Sequence, residues 1–405
     1  MKTLKTLFRF ALRAFARLFI LCILWPKSCW LKIQSLFKKD NRIIDKEYAG
    51  QKILLIALYQ KGTIRQDLKN LLTTAKRLGF YTIGVNTLSL QDPGAEYFDC
   101  YIERFNFGRD FGSYKAGFNF IFEKKYNLQC PRLLMCNDSV FYERTRTEKF
   151  LRDLMNSTTE VLGATENYHG NYHLGSFCIA MSGRILCQDK FIDFWKSYKN
   201  SEMRPCVIRN GEIQLSACLK RLVIGPENLS ALYDIARVTH LINTDDQFIK
   251  AAFSQARRSG RIPWKRLIFN KEQCKEIALN YLGMSEQEAW QAAEKTEKFF
   301  QEAATSENNH LILGIKQFLC AKILRAFREE SQIHQNNAFL LYLGMPLIKL
   351  DGFFRGVFSE EDVLIIAKLM QEDENAEIQK LLFSKSYGKD VLQGINYILY
   401  SQGFL

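Results

Sequence analysis

The sequence predicts an α/β fold, in which a mostly parallel sheet carries helices on both faces and is followed by a mainly helical C-terminal domain. Short apolar segments with the composition of buried strands alternate with helical segments at the spacing of βαβ units. From about residue 272 the helical periodicity continues almost throughout. At 405 residues the chain is long enough for two domains.

The elements of the sheet region follow in a regular order. Apolar runs predict strands at residues 52–58, 81–85, 101–104, 132–136, 161–165 and 176–181. Amphipathic runs predict helices at residues 64–78, 114–125, 191–198 and 211–222. Gly79, directly after the first of these helices, is a typical C-terminal stop. In such a sheet, ligands bind beyond the carboxyl ends of the strands.

We divide the chain into three parts. Residues 1–40 are predicted to form a basic amphipathic helix, residues 41–262 the α/β domain, and residues 263–405 a mainly helical domain. The eleven cysteines are scattered without a CxxC pair, and several fall in apolar segments. This favours reduced core thiols in cytosol over disulfides or a cysteine-bound metal.

The basic charge is concentrated at the amino terminus. Residues 1–39 hold nine Lys or Arg and no acid, so the net charge of +13 falls to +4 for the remainder, which argues against a nucleic-acid-binding protein. Within this segment, Lys5, Arg9, Arg13 and Arg17 recur every four residues opposite an apolar face.

Such a helix is predicted to bind an anionic membrane surface through residues 1–30. We therefore expect a cytoplasmic protein that is peripheral on the inner face of the cytoplasmic membrane. The wholly apolar run at residues 18–25 is too short to span a bilayer, which makes a transmembrane helix the less favoured alternative. Packing of the helix on its own protein is the other alternative.

The segment at residues 106–117 is the richest candidate for ligand binding, because it gathers polar side chains between glycines where a strand ends. Its candidate ligand contacts are Asn106, Gly108, Arg109, Asp110, Gly112, Ser113, Tyr114 and Lys115. Ser113 is expected to cap the next helix, whose first amides offer an anion site. Arg109 and Lys115 suit a phosphate, and Asp110 suits a sugar hydroxyl. A salt bridge between Arg109 and Asp110 that merely fixes the loop is the alternative for that pair.

Asn137, Asp138 and Ser139 form the second candidate cluster, directly after an apolar strand. Their oxygen atoms suit Mn²⁺ or Mg²⁺ together with a diphosphate. Asp138 is the predicted metal ligand. A turn, or a cap for the helix that begins near Thr147, explains the same three residues without a ligand.

Three further residues are candidates. Glu212 begins an amphipathic helix and is the predicted general base, although an acid at that position also simply favours the positive helix end. His173 is expected to recognise the acceptor; a zinc site with Glu166 and His169, or a plain polar loop, are the alternatives. Lys349, in the C-terminal part, is expected to reach a phosphate. A solvated surface lysine is the alternative.

The two polar clusters carry a resemblance to a known family. Asn106-x-Gly-Arg-Asp-Phe-Gly-Ser-Tyr-Lys115 followed by Asn137-Asp-Ser139 resembles the rhamnan synthesis protein F family of bacterial polysaccharide glycosyltransferases, and looser matches include Glu212 and the segment 344–349. The chain has Leu58-Tyr59-Gln60 where the family usually has a His-Tyr-Asp type sequence.

The resemblance implies a GT-A-like, Rossmann-type glycosyltransferase in which residues 41–262 form the nucleotide-sugar-binding domain. Such an enzyme moves a sugar, here rhamnose or another deoxyhexose, from a nucleotide diphosphate donor to a lipid-linked cell-surface polysaccharide or lipopolysaccharide acceptor. Asp138 then holds the divalent cation, the segment from Asn106 to Lys115 binds the donor, and Glu212 deprotonates the acceptor, provided that the reaction inverts the sugar carbon. A non-catalytic glycan-binding or scaffold subunit and a nucleotidyltransferase are the alternatives.

Overall fold

A computed structural model describes most of the first 244 residues and parts of the remainder. The described residues are 14–168, 171–244, 275, 279, 285–301, 331–335, 340–341, 343–354, 358, 363, 366–368, 370–383 and 393–404. Residues 1–13, His169 and the predicted boundary between residues 262 and 263 lie outside this set, so the division into three parts stays a prediction.

The strands and helices are numbered separately in chain order. The strands are β1 (Asn41–Asp45), β2 (Ile53–Leu58), β3 (Tyr81–Asn86), β4 (Cys100–Glu103), β5 (Arg132–Asn137), β6 (Val140–Tyr142), β7 (Val161–Gly163), β8 (Glu166–Asn167), β9 (His173–Leu174), β10 (Cys178–Ser182), β11 (Leu229–Ala231) and β12 (Leu347–Lys349). The helices are α1 (Ala14–Leu36), α2 (Gln66–Arg77), α3 (Arg109–Glu123), α4 (Arg144–Met155), α5 (Gly183–Leu186), α6 (Asp189–Ser197), α7 (Arg204–Val207), α8 (Gln214–Leu222), α9 (Ile235–Thr244), α10 (Glu286–Gln301), α11 (Gln332–Gln335), α12 (Leu350–Phe354), α13 (Glu372–Phe383) and α14 (Gly394–Gln402).

The main sheet has eight strands in the order β1-β4-β3-β2-β5-β10-β7-β11. Strands β4, β3, β2 and β5 are parallel neighbours, and β11 runs parallel to β7. Strand β10 is antiparallel to both of its neighbours, and β1 is antiparallel to β4 at the edge. The predicted α/β class is confirmed, and the architecture agrees with the GT-A-like fold that the resemblance implies.

The central strand β2 lies between two apolar cores, one on each face of the sheet. All six of its residues are buried, and their side chains alternate between two apolar cores. Leu54, Ile56 and Leu58 face the core that helices α2 and α4 cover. Ile53, Leu55 and Ala57 face the core that α3, α6 and α8 cover. The sheet is therefore covered on both faces, as its uniformly apolar sequence predicts.

Helix α3 lies close against the sheet because Gly117 has no side chain. A methyl group at this position would overlap the Leu55 side chain, so Gly117→Ala forces a displacement that costs about 1–3 kcal/mol. The helix begins at Arg109, five residues earlier than the predicted start at Tyr114. Gly108, with φ +92°, makes the turn that allows this early start. The glycine-rich segment is thus largely the first turns of a helix and not a loop.

The described C-terminal part is mainly helical, as predicted, and includes one strand that joins the first part. Strand β12 pairs antiparallel with β6, which places Lys349 opposite Val140. Phe141, on β6, packs in a third apolar cluster with C-terminal residues such as Leu341 and Ile348. The C-terminal chain is therefore fixed next to the turn after β5.

Candidate functional site

The polar clusters meet at the carboxyl edge of the sheet. From β2 the strand order proceeds through β3 on one side and through β5 on the other, and the crevice at such a switch point is where α/β folds bind ligands. Gln60 follows β2 and Asp138 follows β5. The register of the two parallel strands pairs Ala57 with Asn137, which brings these ends together.

Four predicted residues form one continuous chain of hydrogen bonds. Asn137 Nδ2 donates to Asp110 Oδ2 at 2.9 Å, and the Ser139 hydroxyl donates to Asn137 Oδ1 at 2.6 Å. Lys349 Nζ donates to the Ser139 hydroxyl at 2.7 Å. The chain thus connects a carboxylate on α3 with an ammonium group on β12, although the two residues are far apart in sequence.

Asp110 is a half-buried carboxyl on the first turn of α3. Burial raises the pKa of Asp110, and the nearby Glu212 carboxyl acts in the same direction. The positive charges of Arg109, Lys349 and Arg204 act in the opposite direction. Charges of both signs therefore surround this carboxyl, which is typical of a site that binds a polar ligand.

Asp138 follows Asn137 in the chain but occupies a different environment from Asp110. It is buried, and its Oδ2 accepts hydrogen bonds from the Tyr59 amide at 2.7 Å and from Gln60 Nε2. Arg65 donates to the Asp138 carbonyl oxygen at 2.9 Å and is ion-paired with Asp67. Burial raises the pKa of Asp138, while Arg65 and the two hydrogen bonds to Oδ2 oppose the rise. The side chain holds the ends of β2 and β5 together.

The predicted metal ligands are thus already hydrogen-bonded within the protein. Asn137 Oδ1 accepts from Ser139, Asp138 Oδ2 accepts from two donors of the β2 end, and the Ser139 hydroxyl accepts from Lys349. Among the described residues, no three His, Cys, Asp or Glu side chains form a ligand group. The donor set as arranged does not fit a divalent cation at Asp138.

The predicted anion site at the start of α3 is filled by the protein itself. The Gly108 amide donates to the Glu202 carboxylate, which lies there as an anion would. Arg109, with φ 53°, turns its guanidinium away to the Gly403 carbonyl oxygen at 2.6 Å. No salt bridge between Arg109 and Asp110 forms among the described residues. Asn106 is exposed in the preceding turn.

The remaining residues of the glycine-rich segment pack α3 into the fold. Ser113 is buried and does not cap the helix, because the helix starts four residues before it; its hydroxyl accepts a long hydrogen bond of 3.4 Å from Arg104. Gly112 lies against the same Arg104 side chain. Lys115 Nζ donates to the carbonyl oxygens of Lys196 at 3.0 Å and Tyr198 at 2.5 Å. Neither Ser113 nor Lys115 joins the hydrogen-bond chain of Asp110.

Tyr114 supports the cluster from within the fold. It is fully buried, and its hydroxyl donates to the Ser176 carbonyl oxygen at 3.0 Å. Burial raises the pKa of Tyr114 well above its ordinary value, and the nearby Asp110 carboxyl adds to the rise. The residue is a neutral hydrogen-bonding support.

Glu212 and His173 face one another beside Asp110. Glu212 lies in a single π-helical turn, Ile208–Ile213, that precedes α8, and such turns are frequent at functional sites. Its Oε2 is 3.9 Å from His173 Nε2. His173 Nδ1 lies 2.7 Å from the Asn171 carbonyl oxygen and therefore donates to it, which fixes the ring with Nε2 toward Glu212. We define the candidate site as Asp110, Asn137, Ser139, Glu212 and Lys349, with His173 beside it.

Several supporting residues were not predicted. Gln60, Arg65 and Glu202 hold the strand ends and the start of α3, and Arg204 lies over the Tyr400 ring with its guanidinium carbon 4.8 Å from the ring centre. For Gln60 the available signal was its position two residues after the apolar strand β2. Glu202 carries no comparable signal in the sequence.

Two known proteins are similar to this chain over part of its length. No family model matches the chain, so the resemblance to the rhamnan synthesis protein F family stays a prediction. The uncharacterized protein y4gN of Sinorhizobium fredii is 26% identical over 147 residues, and the match spans 35% of this chain and 38% of that protein. The structure of the glycosyltransferase GlyE of Streptococcus pneumoniae TIGR4 is 13% identical, covers 64% of this chain and 66% of that chain, and has a TM-score of 0.27. A likeness with so low a TM-score does not indicate what this chain does.

Proposed function

We propose that the chain is a glycosyltransferase that uses a nucleotide diphosphate sugar as donor. The observation that supports this most is the hydrogen-bonded chain from Asp110 to Lys349 at the sheet's switch point, with Glu212 beside it. The site combines an acceptor for sugar hydroxyls, a cation for a diphosphate, and a second carboxylate. Inverting glycosyl transfer from a nucleotide sugar uses groups of these three kinds.

Each residue then has a defined part. Asp110, fixed by Asn137, accepts a hydrogen bond from a hydroxyl of the donor sugar. Glu212 accepts the proton of the acceptor hydroxyl as that oxygen attacks the sugar carbon. His173, whose ring is fixed by the Asn171 carbonyl, positions the Glu212 carboxylate or the acceptor. Asp138, Arg109 and Lys115 support the site through the fold.

The acceptor in this proposal is a lipid-linked cell-surface glycan, and the sugar is rhamnose or another deoxyhexose, as the resemblance implies. Helix α1 supports a membrane location, because it is long and apolar enough to cross a membrane and exposes large apolar side chains such as Leu18, Leu21 and Trp25. One face instead packs on the protein, where Leu24 contacts Met203 and Ile398. This packing favours a helix that lies on the surface of an anionic bilayer, on the cytoplasmic side.

Product analysis tests the proposed activity. The full chain is incubated with UDP-, GDP- and dTDP-sugars and with lipid-linked glycans extracted from bacterial membranes. Free nucleoside diphosphate and a glycan heavier by one sugar are the expected products. Pyrophosphate release would instead indicate nucleotidyl transfer, and no turnover with any donor would favour the non-catalytic scaffold.

Membrane binding is tested separately by flotation with vesicles that contain anionic lipids. The full chain is expected to float, and a chain that lacks residues 1–39 is expected to remain at the bottom of the gradient. Equal partitioning of both chains would contradict the membrane part of the proposal.

A further inference from the structure

Lys349 is held in the turn where a divalent cation was predicted. The pairing of β12 with β6 sets the position of Lys349 opposite Val140, one residue after Ser139. Its Nζ lies 2.7 Å from the Ser139 hydroxyl and 5.8 Å from the centre of the Phe177 ring. Backbone pairing, a hydrogen bond and a cation–π contact therefore fix this ammonium group.

The contact with Ser139 leaves the charge of Lys349 available. A hydroxyl is neutral, so the bond uses one of the three N–H donors of the ammonium without neutralising it. By contrast, the nearby Arg65 is ion-paired with Asp67 through two bonds of 2.9 Å. Lys349 is also partly exposed. Burial raises the pKa of Asp110, and the positive charge of Lys349 acts in the opposite direction.

The oxygen atoms that were predicted to bind the metal are instead engaged by protein donors. Asn137 Oδ1, Asp138 Oδ2 and the Ser139 hydroxyl each accept a hydrogen bond from a protein donor. A cation bound through these oxygen atoms would compete with these donors and would also lie beside an ammonium group. Among the described residues, Lys349 thus presents a positive charge at the turn after β5.

We propose that Lys349 binds the diphosphate of the donor and takes the place of the predicted Mn²⁺ or Mg²⁺, so that the donor binds without a metal. This inference rests on the proposed function. In the reaction the bond between the sugar carbon and the diphosphate oxygen breaks, and its electron pair stays on the diphosphate. The acceptor oxygen forms the new bond to carbon, and its proton passes to Glu212. Lys349 stabilises the negative charge that the leaving diphosphate gains.

Calorimetric titration of the full chain with UDP, GDP and dTDP, each with EDTA and with Mn²⁺, tests the inference. At least one nucleoside diphosphate is expected to bind in EDTA, and Mn²⁺ is expected to change the dissociation constant less than threefold. Lys349→Met is expected to weaken this binding about tenfold to a hundredfold, as expected for a lost hydrogen bond to a charged group. Lys349→Arg, which keeps the charge, is expected to recover part of it.

Lys52→Met is the matched control. Lys52 also donates to a neutral oxygen, Asn156 Oδ1 at 2.6 Å, but it precedes the opposite end of β2. Its substitution is expected to leave nucleotide binding unchanged, and thermal unfolding of each variant verifies folding.

The outcomes separate the inference from the proposed function. Binding that requires Mn²⁺, or wild-type affinity in folded Lys349→Met, would overturn the role of Lys349 and leave glycosyl transfer standing. If no nucleoside diphosphate binds with or without metal, both are contradicted.

Discussion

Asp110 and Asp138 lie at neighbouring positions on the same edge of the sheet but have different surroundings. Asp138 is buried and accepts hydrogen bonds from Tyr59 and Gln60, which follow the carboxyl end of β2, so it connects two strands within the fold. Asp110 is partly exposed and faces a lysine and a second carboxylate. An acidic residue that follows a strand therefore identifies the sheet edge where a site lies. Its hydrogen-bond partners then distinguish a ligand contact from a structural support.

The largest effect is expected on activity, when Glu212 beside Asp110 is changed. Glu212→Gln removes the proposed proton acceptor and should lower the turnover number about 10²- to 10⁴-fold. The release of nucleoside diphosphate from the donor identified by product analysis measures it. Glu227→Gln, at an exposed turn, is the control and should retain full activity. A Glu212→Gln enzyme as active as the control would remove Glu212 from the mechanism.

The next largest effect is expected on the free energy of unfolding, when Asp138 is changed. Asp138→Ala leaves the Tyr59 amide and Gln60 without their acceptor, and we expect the free energy of unfolding to fall by about 2–4 kcal/mol. Asp110→Ala is expected to change it by less than about 1 kcal/mol, because Asp110 is more exposed and accepts a single bond from Asn137 among those described. Urea denaturation measures both. Equal losses for the two variants would mean that the aspartates do not differ in structural role.

A smaller effect is expected at Lys115, which the sequence placed in the donor site and the structure places against α6. Lys115→Met removes the bonds to Lys196 and Tyr198 and should cost about 1–2 kcal/mol of unfolding free energy. Activity should remain within threefold of the wild type. The exposed Lys149→Met is the control for stability. A hundredfold loss of donor binding in folded Lys115→Met would restore its predicted role in the site.

The smallest effect is a pH dependence. Because burial raises the pKa of Asp110 above 3.8, its ionised form is less favourable in the folded than in the unfolded protein. The contribution of Asp110 to stability is therefore complete below pH 3.8 and is lost as the pH rises through the folded-state pKa. Asp110→Asn should be more stable than the wild type at pH 7, and the difference should vanish toward pH 3.8.

The contribution of Glu160 to stability is expected to depend on pH in the opposite direction. The hydrogen bond from Arg184 lowers the pKa of Glu160 below 4.5, so its stabilising contribution is present above that pH and is lost as the pH falls through the lowered pKa. Glu160→Gln should therefore be less stable than the wild type at pH 7. Denaturation curves that move in the same direction for Asp110→Asn and Glu160→Gln would contradict the account.

The sequence predicted the fold and the position of both polar clusters, because these depend on local patterns. The apolar runs of β2 and β5 are uniform, and a parallel sheet brings the residues that follow them to one edge. The early start of α3 was not predictable in the same way. It depends on the φ of Gly108 and on a carboxylate from Glu202, which is 94 residues away in sequence.

The division of roles within the clusters also depends on distant contacts. Lys349 was a candidate, but its bond to Ser139 spans 210 residues and requires the pairing of β12 with β6. The predicted metal role of Asp138 rested on its side-chain oxygens alone. A carboxylate that the backbone of a neighbouring strand already engages cannot be distinguished from a free one in the sequence.

A paired kinetic comparison of Asp110→Asn and Asp138→Asn shows whether Asp110 contacts the ligand while Asp138 only supports the fold. Both substitutions remove one charge and keep an oxygen that accepts hydrogen bonds. We expect Asp110→Asn to lower nucleoside diphosphate release about tenfold to a hundredfold, while folded Asp138→Asn stays within a few fold of the wild type. The reverse order, with activity lost in Asp138→Asn and kept in Asp110→Asn, would contradict this expectation.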